Sequence, residues 1–335
     1  MKTKELRIDR LTSLGIRFSD VKSIVKDKYD YEIEESSFKE FMNNIQEYND
    51  IDEYELFDLI ENRYYKKISI LSMRKLKKEP NYPICDELLN PMLLSVFKQT
   101  HDINLLGTPD FNYELSECYK LVSYKENIVN NSIKSIEFKI ACIRSYINKE
   151  MSETAELEER EQEFYDCARF FIDLDNKVIY MFYNDWPIGY ASTTNGYTEK
   201  KRYLYAIIKS ATKGNVLSYI LSDSLTEYYN EYYDETENGK SRKVISHVEC
   251  MYNDEKVKAI KSTDYEYKHE RKTLDAIKYV IDNKGYHIAV IECLIANKLV
   301  RIKEDGSIFV DNSGVCEEVL MYVCKEFIRK DTNFD

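Results

Sequence analysis

Apolar residues recur at helical spacing through the start of the chain. Ser37 and Glu40 stand three apart, as in a capping box, and Phe38, Phe41, Met42 and Ile45 then share a helical stripe. Asp52 and Glu55 repeat that start signal ahead of Leu56, Leu59, Ile60 and Tyr64. Pro80, Pro83 and Pro91 break the period, which predicts a loop over 79–91 and a new helix opening on Pro91. Residues 1–104 therefore read as a mainly helical N-terminal region.

Beyond residue 105 the pattern changes. Tyr119–Tyr124 has strand character, and Asn130-Asn131 supplies a turn. The segment 133–147 fits two templates. Ile133, Ile136, Ile140, Ile143 and Ile147 line one helical face, whereas Ile136, Phe138, Ile140 and Cys142 alternate as in a strand; the β-branched content favours the strand. Residues 105–148 thus form a β-rich segment. The Glu-rich stretch that follows reads as an exposed helix or acidic connector over 149–165, and as the domain boundary. Two apolar runs around Asp175-Asn176-Lys177 predict a β-hairpin over 168–183. Helices are expected near 199–211 and 215–230, a solvated loop over 231–242, a strand over Val244–Met251 and a helix over Thr273–Ile281. A second hairpin turns at Glu304-Asp305-Gly306 between 298 and 310. A helix then starts at Ser313 and carries Val319, Leu320, Val323 and Phe327. These elements predict an α+β protein: a helical N-terminal region, then a mixed domain over 166–335 with antiparallel β-hairpins and packed helices.

Composition narrows this further. With 335 residues, 43% of them hydrophobic, the chain can bury a core, and 9 Gly with 5 Pro exclude collagen-like and low-complexity designs. Lys+Arg 48 against Asp+Glu 60 gives net −12, which argues against a protein that coats nucleic acid generally but leaves room for a local basic face. The first ten residues carry charges where a secretory signal needs an apolar core, and no run approaches the roughly 18 apolar residues of a membrane span. Eight scattered cysteines without a CxxC pair read as buried thiols of a reduced, cytoplasmic protein with no membrane partner. The abundance of Lys, Ile, Asn and Tyr suits the AT-rich coding of a low-GC bacterium.

Four groups of residues bear on chemistry. Pro109-Asp110 follows a Gly-Thr turn, and Glu137-Phe138-Lys139 stands further on in an apolar stretch. This arrangement resembles the restriction-endonuclease-like (PD-(D/E)xK) nucleases. The resemblance implies Asp110 and Glu137 as ligands of Mg²⁺ or Mn²⁺ and Lys139 as the cation that positions or activates the attacking water. It requires the strand reading, which puts Glu137 and Lys139 on one face; on a helix they would diverge by about 200°. A basic stretch, Arg63, Lys66, Lys67, Arg74, Lys75, Lys77 and Lys78 with Tyr64 and Tyr65 interleaved, is a candidate nucleic-acid surface. Its alternative is a solvated face neutralised by the acids from Asp50 to Glu61. Tyr228, Tyr229, Tyr232 and Tyr233 form a candidate protein interface. His247-Val-Glu249-Cys250 lacks the Pro-Cys-x-x-Cys of a zinc deaminase and reads as a strand with an incidental histidine. Asn238-Gly239-Lys240-Ser241 lacks the first glycine and the strand of a P-loop. No GxGxxG, GxSxG or HExxH occurs.

The expectation is a non-enzymatic or accessory bacterial protein that binds a nucleic-acid or protein partner, in nucleic-acid transactions or antiviral defence, with no cofactor. The alternative is a divergent divalent-metal nuclease.

Overall fold

The computed structural model describes residues 2–73, 115, 117, 119–130, 132–151, 157–187, 190, 199–211, 216–237, 244–252, 255–261, 267–311 and 316–329. Asp110, the Pro80–Pro91 loop, the helix expected at Pro91, and Arg74, Lys75, Lys77 and Lys78 lie outside the described residues. The class is α+β, and the chain divides into two compact units whose segments interleave along the sequence.

The first unit comprises residues 1–65, 71–217 and 313–315. It opens with α1 (Lys2–Ser13), α2 (Phe18–Tyr29), α3 (Phe38–Asn44) and α4 (Glu53–Arg63). The caps are those the sequence announces. Ser37 Oγ accepts from the Glu40 amide, and Asp52 Oδ1 accepts from the amides of Tyr54 and Glu55. Apolar stripes of the four helices close on Ile8, Leu11, Val21, Ile24, Phe41, Leu56, Phe57 and Ile60.

An antiparallel sheet follows in the order β2 (Lys120–Val129), β3 (Ser132–Met151), β4 (Leu157–Asp173) and β5 (Val178–Tyr183). Beside it run the last residues of β1 (Lys67–Met73), where the Met73 amide donates to the Lys177 carbonyl. Residues 133–147 are strand throughout. Asn130 takes a positive φ of 52° in the β2–β3 turn. The β4–β5 turn works differently from the expectation: Lys177, not Asn176, has positive φ (54°), while Asn176 binds the Asp173 carboxylate.

Of the acidic connector expected over 149–165, the described residues 149–151 and 157–165 are strand instead. β3 runs to Met151 and β4 opens at Leu157, in register from Met151–Leu157 to Ser135–Asp173. The ladder is made by backbone groups, so a Glu-rich sequence does not end a strand there. One sheet face packs Ile136, Phe138, Ile140, Ala168, Phe170 and Ile172 against Leu204 and Ile208 of α5 (Glu199–Ala211). On the other face Leu6 of α1 packs against Val122, Ala141 and Tyr165.

The second unit comprises residues 66–70, 218–312 and 316–335. Its strands run in the order β1, β11 (Ser307–Asp311), β10 (Lys298–Lys303), β9 (His287–Ile295), β7 (Val244–Tyr252) and β8 (Glu255–Lys261). Helices α6 (Ser222–Glu237), α7 (Tyr267–Lys284) and α8 (Glu317–Arg329) complete it; the short β6 (Val216–Ser218) lies where 215–230 was expected to start a helix. The expected loop over 231–242 begins instead as helix, since α6 continues to Glu237. Gly306 closes the β10–β11 turn at φ +74°; a Cβ there would stand 2.7 Å from the Ile70 carbonyl oxygen. Among the described residues, no helix is long and apolar enough to cross a membrane.

Candidate functional site

In the first unit, ionic side chains are buried where hydrocarbon is the usual filling. Helix α4 presents Asp58 and Glu61 three residues apart, hence on one face. That face lies against β3, where the ammonium of Lys139, 2% exposed, bonds Asp58 and, at 2.8 Å, Glu61. Arg7 of α1 donates to the other oxygen of Glu61 at 2.7 Å and lies over the Phe57 ring. Burial alone would push the carboxyls of Asp58 and Glu61 up; Lys139 and Arg7 outweigh it and hold both below their ordinary values.

A second cluster forms where β5 ends. Tyr183 pairs with Ala168, so β4 loses that neighbour from Cys167 backward. In the gap Asp166, 1% exposed, accepts from Lys200 of α5, Tyr119 and, at 2.7 Å, the indole of Trp186. Lys200 also reaches the Cys167 carbonyl at 3.3 Å. Burial opposes ionisation of Asp166, yet Lys200 and Tyr119 hold the carboxyl below its ordinary value. Arg144, with Nε 3.5 Å from Asp166, sits among the rings of Tyr119, Trp186, Tyr190 and Tyr203, 5.0–6.0 Å from their centroids.

Between the two clusters lies a narrow cleft lined by Arg7, Arg10, Glu61, Tyr165, Asp166, Cys167, Asn184 and Lys200, with room for about one water-sized guest. Arg10 enters it from α1 and donates to the Asp185 carbonyl. The Cys167 thiol is pushed up to about 11 by burial, then by Glu61, so it is a poor nucleophile at neutral pH.

A scan of protein-family models and a search of the curated proteins each find no match to this chain.

The residues singled out from the sequence are distributed otherwise. Glu137 and Lys139 do share a strand face, but Arg169 holds Glu137 through two bonds of 3.0 and 3.1 Å, and Lys139 is held by Asp58 and Glu61. Among the described residues no group of three or more His, Cys, Asp and Glu is placed to hold a metal. Arg63 ends α4, and Lys66 and Lys67 lead into β1. Tyr64 and Tyr65, read as stacking partners, are fully buried: Tyr64 donates to Asp20 at 2.6 Å and Tyr65 lies 3.5 Å from the Cys167 sulfur.

The tyrosine interface is also corrected. Tyr228, Tyr229 and Tyr232 are 5%, 0% and 3% exposed, because α6 turns them inward. Tyr228 packs on Phe327, Tyr229 donates to the Leu274 carbonyl at 2.9 Å, and Tyr233 donates to Asp275 at 2.7 Å. His247 and Glu249 stand on one face of β7, 3.2 Å apart, and Arg301 binds the same carboxylate at 3.2 Å.

Missed from sequence was the row that cross-strand register creates in the second unit. Lys67 stands opposite Phe309, and Phe309 opposite Arg301. The Lys67 ammonium lies 5.0 Å from the centre of the Phe309 ring. The three residues are all half-buried, so the row is open to solvent. The signal was present in Lys67 and in the alternation Arg301-Ile302-Lys303, but only register joins them to Phe309.

Proposed function

We propose that this chain is a cytoplasmic binding protein for single-stranded nucleic acid, acting without a cofactor, and not a metal-dependent nuclease. The observation that carries this reading is the Lys67–Phe309–Arg301 row. A half-exposed aromatic flanked by cations offers a base a surface to stack on and its phosphates opposite charge. Lys67 belongs, in the sequence, to the basic stretch that begins at Arg63, and Lys303 follows two residues beyond Arg301 on the same face of β10. Arg301 also contacts Glu292 at 3.4 Å and Glu249. Those contacts hold the guanidinium, and Lys67 and Lys303 supply the phosphate contacts.

Against the nuclease reading stand the ion pairs of its two strand residues. A carboxylate that binds Arg169 with both oxygens is a poor metal ligand, and an ammonium enclosed by two carboxylates cannot attend a developing charge on substrate.

The test is fluorescence anisotropy of single-stranded DNA and RNA oligonucleotides across salt concentrations, with wild type, Lys67→Glu and Phe309→Ala. Lys67→Glu should weaken binding at every sequence and flatten the dependence of log affinity on log salt by about one to two contacts. Phe309→Ala should cost about 1–3 kcal/mol with the salt slope unchanged. Absence of binding by wild type, or indifference to both variants, would refute the reading. Cleavage of the same oligonucleotides with Mg²⁺ or Mn²⁺ would revive the nuclease.

A further inference from the structure

The cleft in the first unit carries an imbalance. Five cationic side chains, Arg7, Arg10, Lys139, Arg144 and Lys200, are gathered around it or its two clusters. They meet four carboxylates, those of Asp58, Glu61, Asp166 and, beside Arg10, Asp185. Charges out of water need opposite charge close by, and among the described residues gathered here the cations outnumber the carboxylates by one. Hydrogen bonding leans the same way. The Tyr165 hydroxyl is buried on the cleft wall, on a residue 1% exposed, and has no hydrogen-bond partner; Nη2 of Arg144 is buried and unbonded as well. The guanidinium nitrogen can only donate and the hydroxyl can donate as well as accept, so an acceptor would satisfy either group.

From these observations we infer that the cleft binds one small inorganic monoanion of halide size, chloride in the cell, held by the Tyr165 hydroxyl and the guanidinium of Arg10. Size, charge and bonding converge. The space admits about one water-sized guest, the surplus is one positive charge, and the buried hydroxyl on the wall lacks an acceptor. Burial lowers the Arg10 pKa from its ordinary value even with Asp166 and Asp185 near, as for a guanidinium whose charge is incompletely met. The site is independent of the nucleic-acid reading, which concerns the other unit.

The test is thermal unfolding of the full chain dialysed into gluconate, then titrated with bromide or chloride at constant ionic strength. A ligand bound only by the folded state raises Tm with concentration. Above saturation the rise should be roughly 2 °C per tenfold increase in bromide. Tyr165→Phe keeps the ring and removes the donor. Its Tm in gluconate should equal or exceed that of wild type, because a buried hydroxyl without a partner is removed, and its bromide dependence should vanish. Arg10→Gln should weaken the dependence at least tenfold in midpoint. Crystals grown in bromide should show an anomalous peak in the cleft of wild type and none in Tyr165→Phe. Equal Tm in bromide and gluconate would overturn the proposal. So would full bromide dependence in Tyr165→Phe, or water alone in the cleft of bromide-grown crystals.

Discussion

Lys139 sits in the middle of a strand with its ammonium enclosed, 2% exposed, between the carboxylates of Asp58 and Glu61. Three charges without water are held by one another and by Arg7, so deleting the central cation leaves two acids with one partner. Lys139→Met should destabilise the protein by about 3–5 kcal/mol at pH 7, although methionine fits the space. The pH dependence identifies the cause. Asp58 and Glu61 have ordinary values of 3.8 and 4.5 and are held below them in the fold. Groups lowered by folding stabilise the fold fully above their unfolded values, and that contribution is lost as pH falls through the folded values. Wild type should therefore lose stability steeply below about pH 4.5. The Met variant has already lost the main source of the lowering at Asp58 and part of it at Glu61, where Arg7 remains, so the two curves should approach each other toward pH 3. Urea unfolding at pH 7, 5 and 3.5 measures this; parallel curves would show that the lysine acts by packing and not by charge. The same pairing explains why Glu137-x-Lys139 resembled a nuclease strand. The spacing of charges on a strand was legible, but their partners, 32 to 81 residues away along the chain, were not.

At the level of elements, signals contained within a few residues were legible, and β5 was recognisable from the turn beside it, whereas two other buried strands were not. Capping residues, the Asp-Gly turn and the helical stripe of Val319, Leu320, Val323 and Phe327 each work within a few residues, so sequence spacing contains them. β1 and β9 escaped because their burial is almost continuous, and period-2 alternation disappears when both faces are covered. The β9–β10 turn hides as well. Ile295 pairs with Lys298 across two residues, Ala296 and Asn297, with φ of 49° and 61°. Positive φ at both central positions is the I′ geometry, for which Asn-Gly is the usual signature. Ala296 carries a Cβ in a region alanine disfavours. Ala296→Asn should therefore stabilise the second unit by about 0.5–1 kcal/mol, read as a rise in the urea midpoint at unchanged m. A fall in the midpoint would mean that Ala296 packs in a way its turn geometry does not reveal. Of the candidate sites, the basic stretch was visible as composition, whereas its aromatic partner Phe309 lies more than two hundred residues further on and is joined to Lys67 only by register.

At the scale of the whole molecule, the two compact units are built from segments that interleave along the chain. The second unit takes five residues, 66–70, from far upstream of its other segments. They are the start of β1, paired with β11 through Lys67–Phe309, Ile68–Ile308 and Ser69–Ser307, and extended by bonds from the Ile70 amide to the Gly306 carbonyl and from the Val310 amide to the Lys66 carbonyl, each 2.8 Å. A chain cut before Ser218 would look, from its sequence, like a reasonable C-terminal fragment. Yet residues 218–335 alone would expose the backbone of β11 along its length and strip Ile68 from the core beside Ile308, both at most 1% exposed in the intact protein. An uncovered edge strand with an apolar face seeks another strand. Expressed alone, that fragment should elute as oligomers or aggregates and lack a cooperative melt. Adding a synthetic peptide of residues 64–72 should return monomer and cooperativity, because the missing strand is the defect. A 218–335 fragment that is monomeric and melts cooperatively without the peptide would show that the five upstream residues are dispensable. The proposed nucleic-acid surface would then depend on β1 only through Lys67, and its affinity in the fragment, measured with and without the peptide, would report the contribution of that single strand.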